Sequence, residues 1–290
     1  MSEWTIGVIG GSGLYAIDGL QDAQSIRVDS PFGAASDELV IGTLHGHRFV
    51  FLPRHGKGHK ISPTDVNARA NIDVLKRAGC TDILAISAIG SLREELPPGS
   101  FVIVDQFIDR TVNRTKSFFG TGMVAHVSMA DPVCPRLSSL VAQAATTAGA
   151  PVAYGGTYLA MEGPQFSSRA ESHMYRAWGC DVIGMTAMPE AKLAREAELP
   201  YALIGMVTDY DCWREGEAHV EVESIIAQMQ SNSALGRQTV IELAKALPAE
   251  RQPSPIDTCL DFALITSPEA RDPQVLARLD AVAGRVLRPR

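Results

Sequence analysis

The chain contains no long apolar run, and nothing in it approaches the roughly 18–20 apolar residues of a membrane span. Nor does it carry a surplus of positive charge: 26 Lys and Arg stand against 33 Asp and Glu, a net charge of −7. That balance argues against nucleic-acid or anionic-membrane partners, but not against a small anion in a local basic pocket. It has no Cys-x-x-Cys pair and no His pair at zinc spacing; Cys80, Cys134, Cys180, Cys212 and Cys259 are scattered and odd in number. Free thiols in a reducing cytoplasm are therefore expected, with neither a disulfide framework nor a metal centre. Met1-Ser2-Glu3-Trp4-Thr5 puts no basic segment ahead of an apolar one, so no secretory leader is expected.

What is present is an ordinary globular composition, 46% hydrophobic and 20% charged, over 290 residues. That is enough to bury a large core. Short apolar runs alternate with helical patterns, which predicts an α/β fold. Strands are expected at Thr5–Ile9, Asp82–Ala88, Phe101–Asp105, Tyr154–Met161, Asp181–Met185 and Tyr201–Thr208, and a hairpin where Glu38–Leu44 and Arg48–Leu52 bracket His45-Gly46-His47. Ser62-Pro63-Thr64-Asp65 reads as a helix start, with Val66, Ala70, Val74 and Ala78 at four-residue spacing behind it. Further helices are expected over Pro135–Gly149, from a Ser167 cap to Trp178, over Pro189–Glu198, over Val220–Leu247 and over Asp272–Leu287. The Pro-rich stretch from Pro248 to Pro255 is the clearest linker. It divides a main domain, 1–247, from a C-terminal extension, 248–290, expected to pack on or near that domain.

Four polar or glycine-rich clusters follow apolar strands: Gly10–Gly13, Arg54–His59, Ser87–Ser91 and Asp209–Asp211. In open α/β sheets ligands bind outside the carboxyl ends of the strands, so one shared edge is the expected site. Gly10-Gly11-Ser12-Gly13 leaves backbone N–H groups free for an anion, with the Ser12 hydroxyl beside them; it also fits a plain tight turn. Gly11-x-Gly13-x-x-Ala16 further matches a dinucleotide fingerprint, but Asp18-Gly19 interrupts the helix that the fingerprint requires. Arg54-His55 offers a guanidinium fork and a ring donor, suited to phosphate. Asp209 and Asp211, two residues apart at a strand end, can share a crevice if the chain turns there. A carboxyl group there can carry a raised pKa and act as a general acid, or accept from an exocyclic amine; a turn or a helix cap is the plainer alternative. Phe166, in a Gly-Pro loop, can stack on a flat ring or fill a core.

An ordered set of motifs then resembles one family. Gly10-Gly11-Ser12-Gly13-Leu14, Pro53-Arg54-His55-Gly56, Gly90-Ser91-Leu92-Arg93-Glu94, Glu162-Gly163-Pro164, Phe166-Ser167-Ser168-Arg169-Ala170-Glu171-Ser172, Gly184-Met185-Thr186, Pro189-Glu190-Ala191 and Thr208-Asp209-Tyr210-Asp211-Cys212-Trp213 look like the S-methyl-5′-thioadenosine phosphorylases, of the trimeric purine nucleoside phosphorylase class. The resemblance runs from about Thr5 to Leu247. It implies a single α/β domain with a twisted mixed, partly barrel-like sheet flanked by helices, assembled as a homotrimer. It implies phosphorolysis of a nucleoside with inorganic phosphate as co-substrate and no cofactor. Carried over residue by residue, Ser12, Arg54, His55, Ser87, Ala88 and Thr186 resemble the phosphate site. Met185, Phe166, Asp209, Tyr210 and Asp211 resemble the nucleoside site, with Asp209 the acid at the purine. Ser167 and Val222 match positions bearing on substrate choice. His126 resembles a histidine lent by a neighbouring subunit near the 5′ substituent. The Asp pair, without an Asn in the motif, favours a 6-amino purine; a 6-oxopurine nucleoside or methylthioinosine phosphorylase is the alternative. A nicotinamide-dependent oxidoreductase, resting on the glycine fingerprint alone, and a non-catalytic nucleoside binder are the more distant rivals.

Overall fold

Strand β1 (Thr5–Gly10) lies between two parallel neighbours, β4 (His47–Pro53) and β5 (Asp82–Ser91). All three are apolar and buried along most of their length, as a sheet covered on both faces requires. The computed structural model describes residues 3–11, 17–214 and 222–287, without the side chains of 222–225. Within them one mixed sheet of eleven strands forms the frame. Strand β3 (Leu39–Leu44) pairs antiparallel with β4 through His45 and Gly46, both at positive φ, which a two-residue hairpin turn demands. The edge strand β2 (Gln21–Ile26) is almost entirely exposed, so no apolar alternation marks it. Because β1 leads into an edge strand antiparallel to β3, rather than through a crossover to a parallel partner, the dinucleotide reading finds no support.

Strand β5 is the branch point of the sheet. Strand β11 (Tyr201–Asp209) runs parallel to it from Ile83 to Gly90, while β1 covers the opposite edge only as far as Ala85. Strand β10 (Val182–Gly184) takes up pairing again at Gly90 and Ser91. Between Ala85 and Gly90 that edge has no strand neighbour among the described residues. The sheet is completed by β6 (Phe101–Val104), β7 (Gln106–Asp109), β8 (Val152–Tyr154) and β9 (Thr157–Ala160). The single strand expected over Tyr154–Met161 is instead two, parted by Gly155 and Gly156 at positive φ.

Helix α1 (Ala68–Arg77) begins later than its sequence pattern predicts. Ser62 spends its hydroxyl on the Asp65 carboxylate in a turn, at 2.6 Å, and Asn67 caps the helix by accepting from the Ala70 N–H. Helix α2 (Pro135–Thr147) is near its predicted span. Helix α3 (Arg169–Ala177) is capped by Ser168 rather than Ser167, because Ser168 and Glu171 form a reciprocal capping box. Helix α4 (Ala187–Glu196) is interrupted at Met188 (φ −116°, ψ 135°), so its regular part begins at Pro189 as predicted. Helix α5 spans Val222–Ala246.

The single helix expected over Asp272–Leu287 is instead two short ones, α6 (Pro273–Arg278) and α7 (Gly284–Leu287), and 3₁₀ turns at Pro255–Thr258 and Pro268–Ala270 precede them in the extension. Leu260, Ala263, Leu279, Val282 and Ala283 enter the same apolar cluster as β1, β5 and β11. Ion pairs from Arg251 to Asp82 and from Arg285 to Glu198 tie the extension to the main domain, and Arg251 also pairs with Asp257 within the extension.

Candidate active site

Strands β1, β4, β5 and β11 are mutually parallel, so their carboxyl ends open on one edge. Three of the four clusters lie at those ends, while Ser87–Ser91 is the last stretch of β5 itself, which runs past the expected end at Ala88; Ser12 and Gly13 of the first cluster lie outside the described residues. Arg54 follows β4, and its backbone N–H donates to the Gly10 carbonyl at 2.9 Å. Its guanidinium, 2% exposed, crosses the sheet. Nη1 donates to the Ile86 carbonyl at 3.1 Å, on the open edge of β5, and Nη2 to the Ile9 carbonyl at 3.4 Å. Side chains and backbone groups alternate along a strand, so the Ala88 N–H faces the same open edge as the Ile86 carbonyl. That edge therefore offers a donor to a ligand.

Arg54 does not hold an anion with its whole fork. Nε and Nη2 bind both oxygens of the buried Glu190 at 2.8 and 2.9 Å. Burial works against the guanidinium charge, but the Glu190 charge and hydrogen bonds outweigh it and hold the group firmly protonated. Glu190 accepts a third bond, from the Tyr201 hydroxyl at 2.9 Å. His55 departs similarly from the sequence reading. Its Nδ1 lies 2.9 Å from the Ile61 carbonyl, which can only accept, so the ring proton is already in use. Burial, and after it the Arg54 charge, push its pKa down to about 4. The neutral ring, stacked on His59 at 4.2 Å, leaves Nε2 as an acceptor rather than a donor.

Ser87, on the open stretch of β5, lies 2.9 Å from the Thr186 hydroxyl at the start of α4, so these two predicted residues are brought together. The Thr186 N–H donates to the Tyr158 hydroxyl at 3.4 Å. Tyr158 fits beneath Gly184 because that residue has no Cβ; one added there would meet the phenol oxygen at 2.1 Å. Met185 lies over Gly163, where a Cβ would meet its sulfur at 2.5 Å.

The acid pair sits at the end of the neighbouring strand β11, beside the last residues of β5. Ser87 is opposite Gly205 and Gly90 is opposite Asp209, a separation of three residues on β5, or about 10 Å. Asp209 Oδ2 accepts from the Thr208 hydroxyl at 2.6 Å and Oδ1 from the Asp211 N–H at 2.8 Å. Asp211, at φ 54°, makes the turn that brings both carboxyls to one side, and Gly90 leaves the room: a Cβ there would sit 3.1 Å from Asp209 Oδ1. Burial pushes both carboxyls above the usual range, and the Asp209 charge adds to the rise at Asp211. The Asp211 carboxyl lies near the Ser172 and Ser167 hydroxyls, with its Oδ2 buried from solvent. Trp213 Nε1 donates to the Ser91 carbonyl at 2.8 Å and Tyr210 packs edge-on against Trp213, which ties this turn to the end of β5.

Phe166 is half-exposed beside the buried Ser167, whose carbonyl accepts from the Cys212 thiol at 3.2 Å. The 166–167 loop is thus tied to the acid turn. The side chain of Val222 lies outside the described residues. His126 is not joined to these groups within one chain. It lines a separate cavity of about 380 Å³ with Lys116, Lys192 and Glu196. Among the described residues no group of three His, Cys, Asp or Glu side chains is placed to hold a metal, and no helix is long and apolar enough to cross a membrane.

Three residues of the site carry no role in the sequence reading. Glu190 and Glu162 stand within quoted motifs, but nothing in those motifs names their partners. Arg114 lies in a loop without periodicity. All three act across large sequence separations, for which a single sequence holds no local signal.

The arrangement sets hydroxyl and guanidinium donors at one point of β5 and two partly buried carboxyls about 10 Å farther along, the layout expected of a phosphorylase-type site. The family model described as "Phosphorylase superfamily" matches residues 5–245. The S-methyl-5′-thioadenosine phosphorylase of Cereibacter sphaeroides is 59% identical over 285 residues, 98% of each chain. The crystal structure of a methylthioadenosine phosphorylase from an antarctic soil metagenomic library superposes with a TM-score of 0.92 at 43% identity, covering 97% of this chain and 99% of that one. A variant of the adenosine/methylthioadenosine phosphorylase of Schistosoma mansoni, in complex with methylthioadenosine, superposes with a TM-score of 0.81 at 38% identity, covering 86% and 93%. The chain belongs to the S-methyl-5′-thioadenosine phosphorylases of that superfamily.

Proposed function

We propose that this chain cleaves S-methyl-5′-thioadenosine with inorganic phosphate, releasing adenine and 5-methylthioribose 1-phosphate. The observation that carries the reading is the spacing on β5: Ser87, joined to Thr186, at one end and Gly90, under Asp209 and Asp211, at the other. Phosphate binds to Ser87, the Ala88 N–H, Thr186 and the remaining Arg54 donor, with Ser12 matching a further contact. The acceptor at His55 Nε2 suits the one proton of HPO₄²⁻. The Met185 backbone holds the ribose, and Phe166 packs on the purine with Tyr210 behind the acid turn.

In the reaction the C1′–N9 bond breaks and its electron pair passes to the purine. Protonated Asp209 donates to N7, Asp211 accepts from the 6-amino group, and a phosphate oxygen bonds to C1′. Phosphate loses its proton on becoming a monoester dianion, and that proton balances the one adenine takes up. Holding both reactants in line and neutralising charge as it develops supply the acceleration. The chain's own residues suffice for each step, with phosphate as co-substrate and no cofactor.

Assembly as a homotrimer fits the placement of His126. It lies outside the cleft of its own chain, and its N–H donates to the Ala263 carbonyl at 2.9 Å. Phe262 and Ile265 beside it are exposed and apolar, as at a subunit contact. In such a trimer His126 reaches a neighbour's 5′ substituent, while Ser167 and Val222 bear on substrate choice. The free cysteines and the acidic balance suit a cytoplasmic enzyme.

Adenine release, measured with and without phosphate on methylthioadenosine, adenosine and methylthioinosine, tests the reading. Phosphate-dependent release, fastest with methylthioadenosine, is expected. Release without phosphate would make the chain a hydrolase, and a preference for methylthioinosine would overturn the role of the Asp pair.

A further inference from the structure

Arg114 has no part in the chemistry above, yet it lines the cleft that contains Arg54, Thr186, Met188 and Glu190. Its side chain is only 4% exposed. Nη1 donates to the carbonyls of Met185 and Met188 at 2.6 and 2.7 Å, and Nη2 to the Glu162 carbonyl at 2.6 Å. Nε reaches Glu162 Oε1 at 3.2 Å. The two carbonyls on Nη1 flank Thr186 and Ala187. This stretch is not regular helix: Thr186 has φ −122° and Met188 has ψ 135°. Its backbone departs from regular helix at these two residues, and one guanidinium bonds the carbonyls on either side of Thr186 and Ala187.

Glu162 anchors the guanidinium in turn. It accepts from the Thr64 hydroxyl at 2.6 Å and from the N–H groups of Val112 and Asn113 at 2.5 and 3.2 Å. Burial works against its charge, but these bonds and Arg114 hold the carboxyl down at about 2, so the anchor stays ionised at neutral pH. A continuous line of contacts thus runs from the 62–65 turn through Glu162 and Arg114 to the Met185–Met188 backbone, and from Thr186 to Ser87.

We infer that Arg114 is a positioning residue for phosphate: by bridging the Met185 and Met188 carbonyls it sets the Thr186 hydroxyl against Ser87 and so governs phosphate affinity. This rests on the phosphorylase reading of the same cleft. A planar fork can serve three divergent carbonyls and a carboxylate at once, whereas the donors of a lysine ammonium radiate from one atom and cannot.

The test compares Arg114→Ala and Arg114→Lys with the parent by steady-state kinetics in both substrates, and by calorimetric titration with inorganic phosphate alone. The KM and Kd for phosphate should rise roughly 10- to 100-fold in both variants, with a smaller change in the KM for the nucleoside. Guanidinium ion at millimolar concentration should restore part of the phosphate affinity of Arg114→Ala and leave the parent unaffected. A merely structural role predicts a parallel loss for nucleoside and phosphate, with no recovery selective for phosphate. Phosphate Kd within twofold of the parent in the folded lysine variant would overturn the inference, as would a parallel loss of both substrates without rescue. If Arg114→Ala fails to fold, the lysine variant alone decides. A parent that released adenine without phosphate would instead sink the phosphorylase reading, so the two failures are distinct.

Discussion

Arg54 and Glu190, 136 residues apart in the chain, meet as a buried bidentate pair with both side chains 2% exposed. The pair joins the end of β4 to helix α4, and with it the two halves of the anion cradle. The fold itself thereby orients the Arg54 guanidinium and offsets its charge.

Removing Glu190 leaves that guanidinium buried without its partner and deprives the Tyr201 hydroxyl of an acceptor. Glu190→Ala should lower stability by about 3–5 kcal/mol in urea unfolding. A loss under about 1 kcal/mol would show that the pair does not bear on the fold.

Asp209→Asn keeps the side-chain shape and an acceptor for the Asp211 N–H but removes the proton donor. Turnover should fall by roughly 10²- to 10⁴-fold while phosphate affinity stays within a few-fold. Turnover close to that of the parent would remove Asp209 from the role of acid.

Gly90→Ala tests the crowding beneath the acid pair. The new Cβ would lie 3.1 Å from both Asp209 Oδ1 and Ile183 Cγ2, so the carboxylate or β10 must shift. A stability cost of about 1–3 kcal/mol is expected together with reduced turnover, and phosphate binding should change little. Unchanged turnover in the folded variant would place the acid elsewhere.

Two groups give opposite pH slopes to stability. Glu196, which accepts from Ser117 Oγ and the Phe118 N–H, has its carboxyl pushed up by burial to about 7. Between its ordinary value and 7 the folded state holds a proton that the unfolded state releases, so stability falls as pH rises through that window. For His55, lowered to about 4, the folded state binds fewer protons below its ordinary value, so stability rises with pH from about 4 to that value. Glu196→Gln should flatten the decline towards neutral pH in urea titrations, and a slope identical to the parent's would contradict the assignment. An NMR titration should find the His55 ring neutral at pH 6, and a midpoint near the ordinary histidine value would show that burial does not control it.

The sequence exposed much of this protein directly. Apolar runs announced β1, β5 and β11, the His45-Gly46 turn announced the hairpin, and the polar clusters behind them marked Arg54, His55, Ser87, Asp209 and Asp211. These signals are local, because burial on both faces of a strand and a polar break after it are written in consecutive residues. Strand β2 escaped for the complementary reason: an exposed edge strand needs no apolar residues. The extension read as one helix because α6 and α7 share an apolar pattern across the break that parts them.

What only the tertiary structure decided is how the charged groups are spent. Arg54 reads as a free fork until Glu190 takes two of its donors, and His55 reads as a donor until the Ile61 carbonyl takes its proton. Arg114 reads as an ordinary loop residue until its carbonyl partners arrive from a segment 71 residues away. Residue type determines which donors and acceptors exist. Which of them remain available to a ligand depends on partners that the fold brings from distant segments, because a buried polar group binds whatever complement lies within reach.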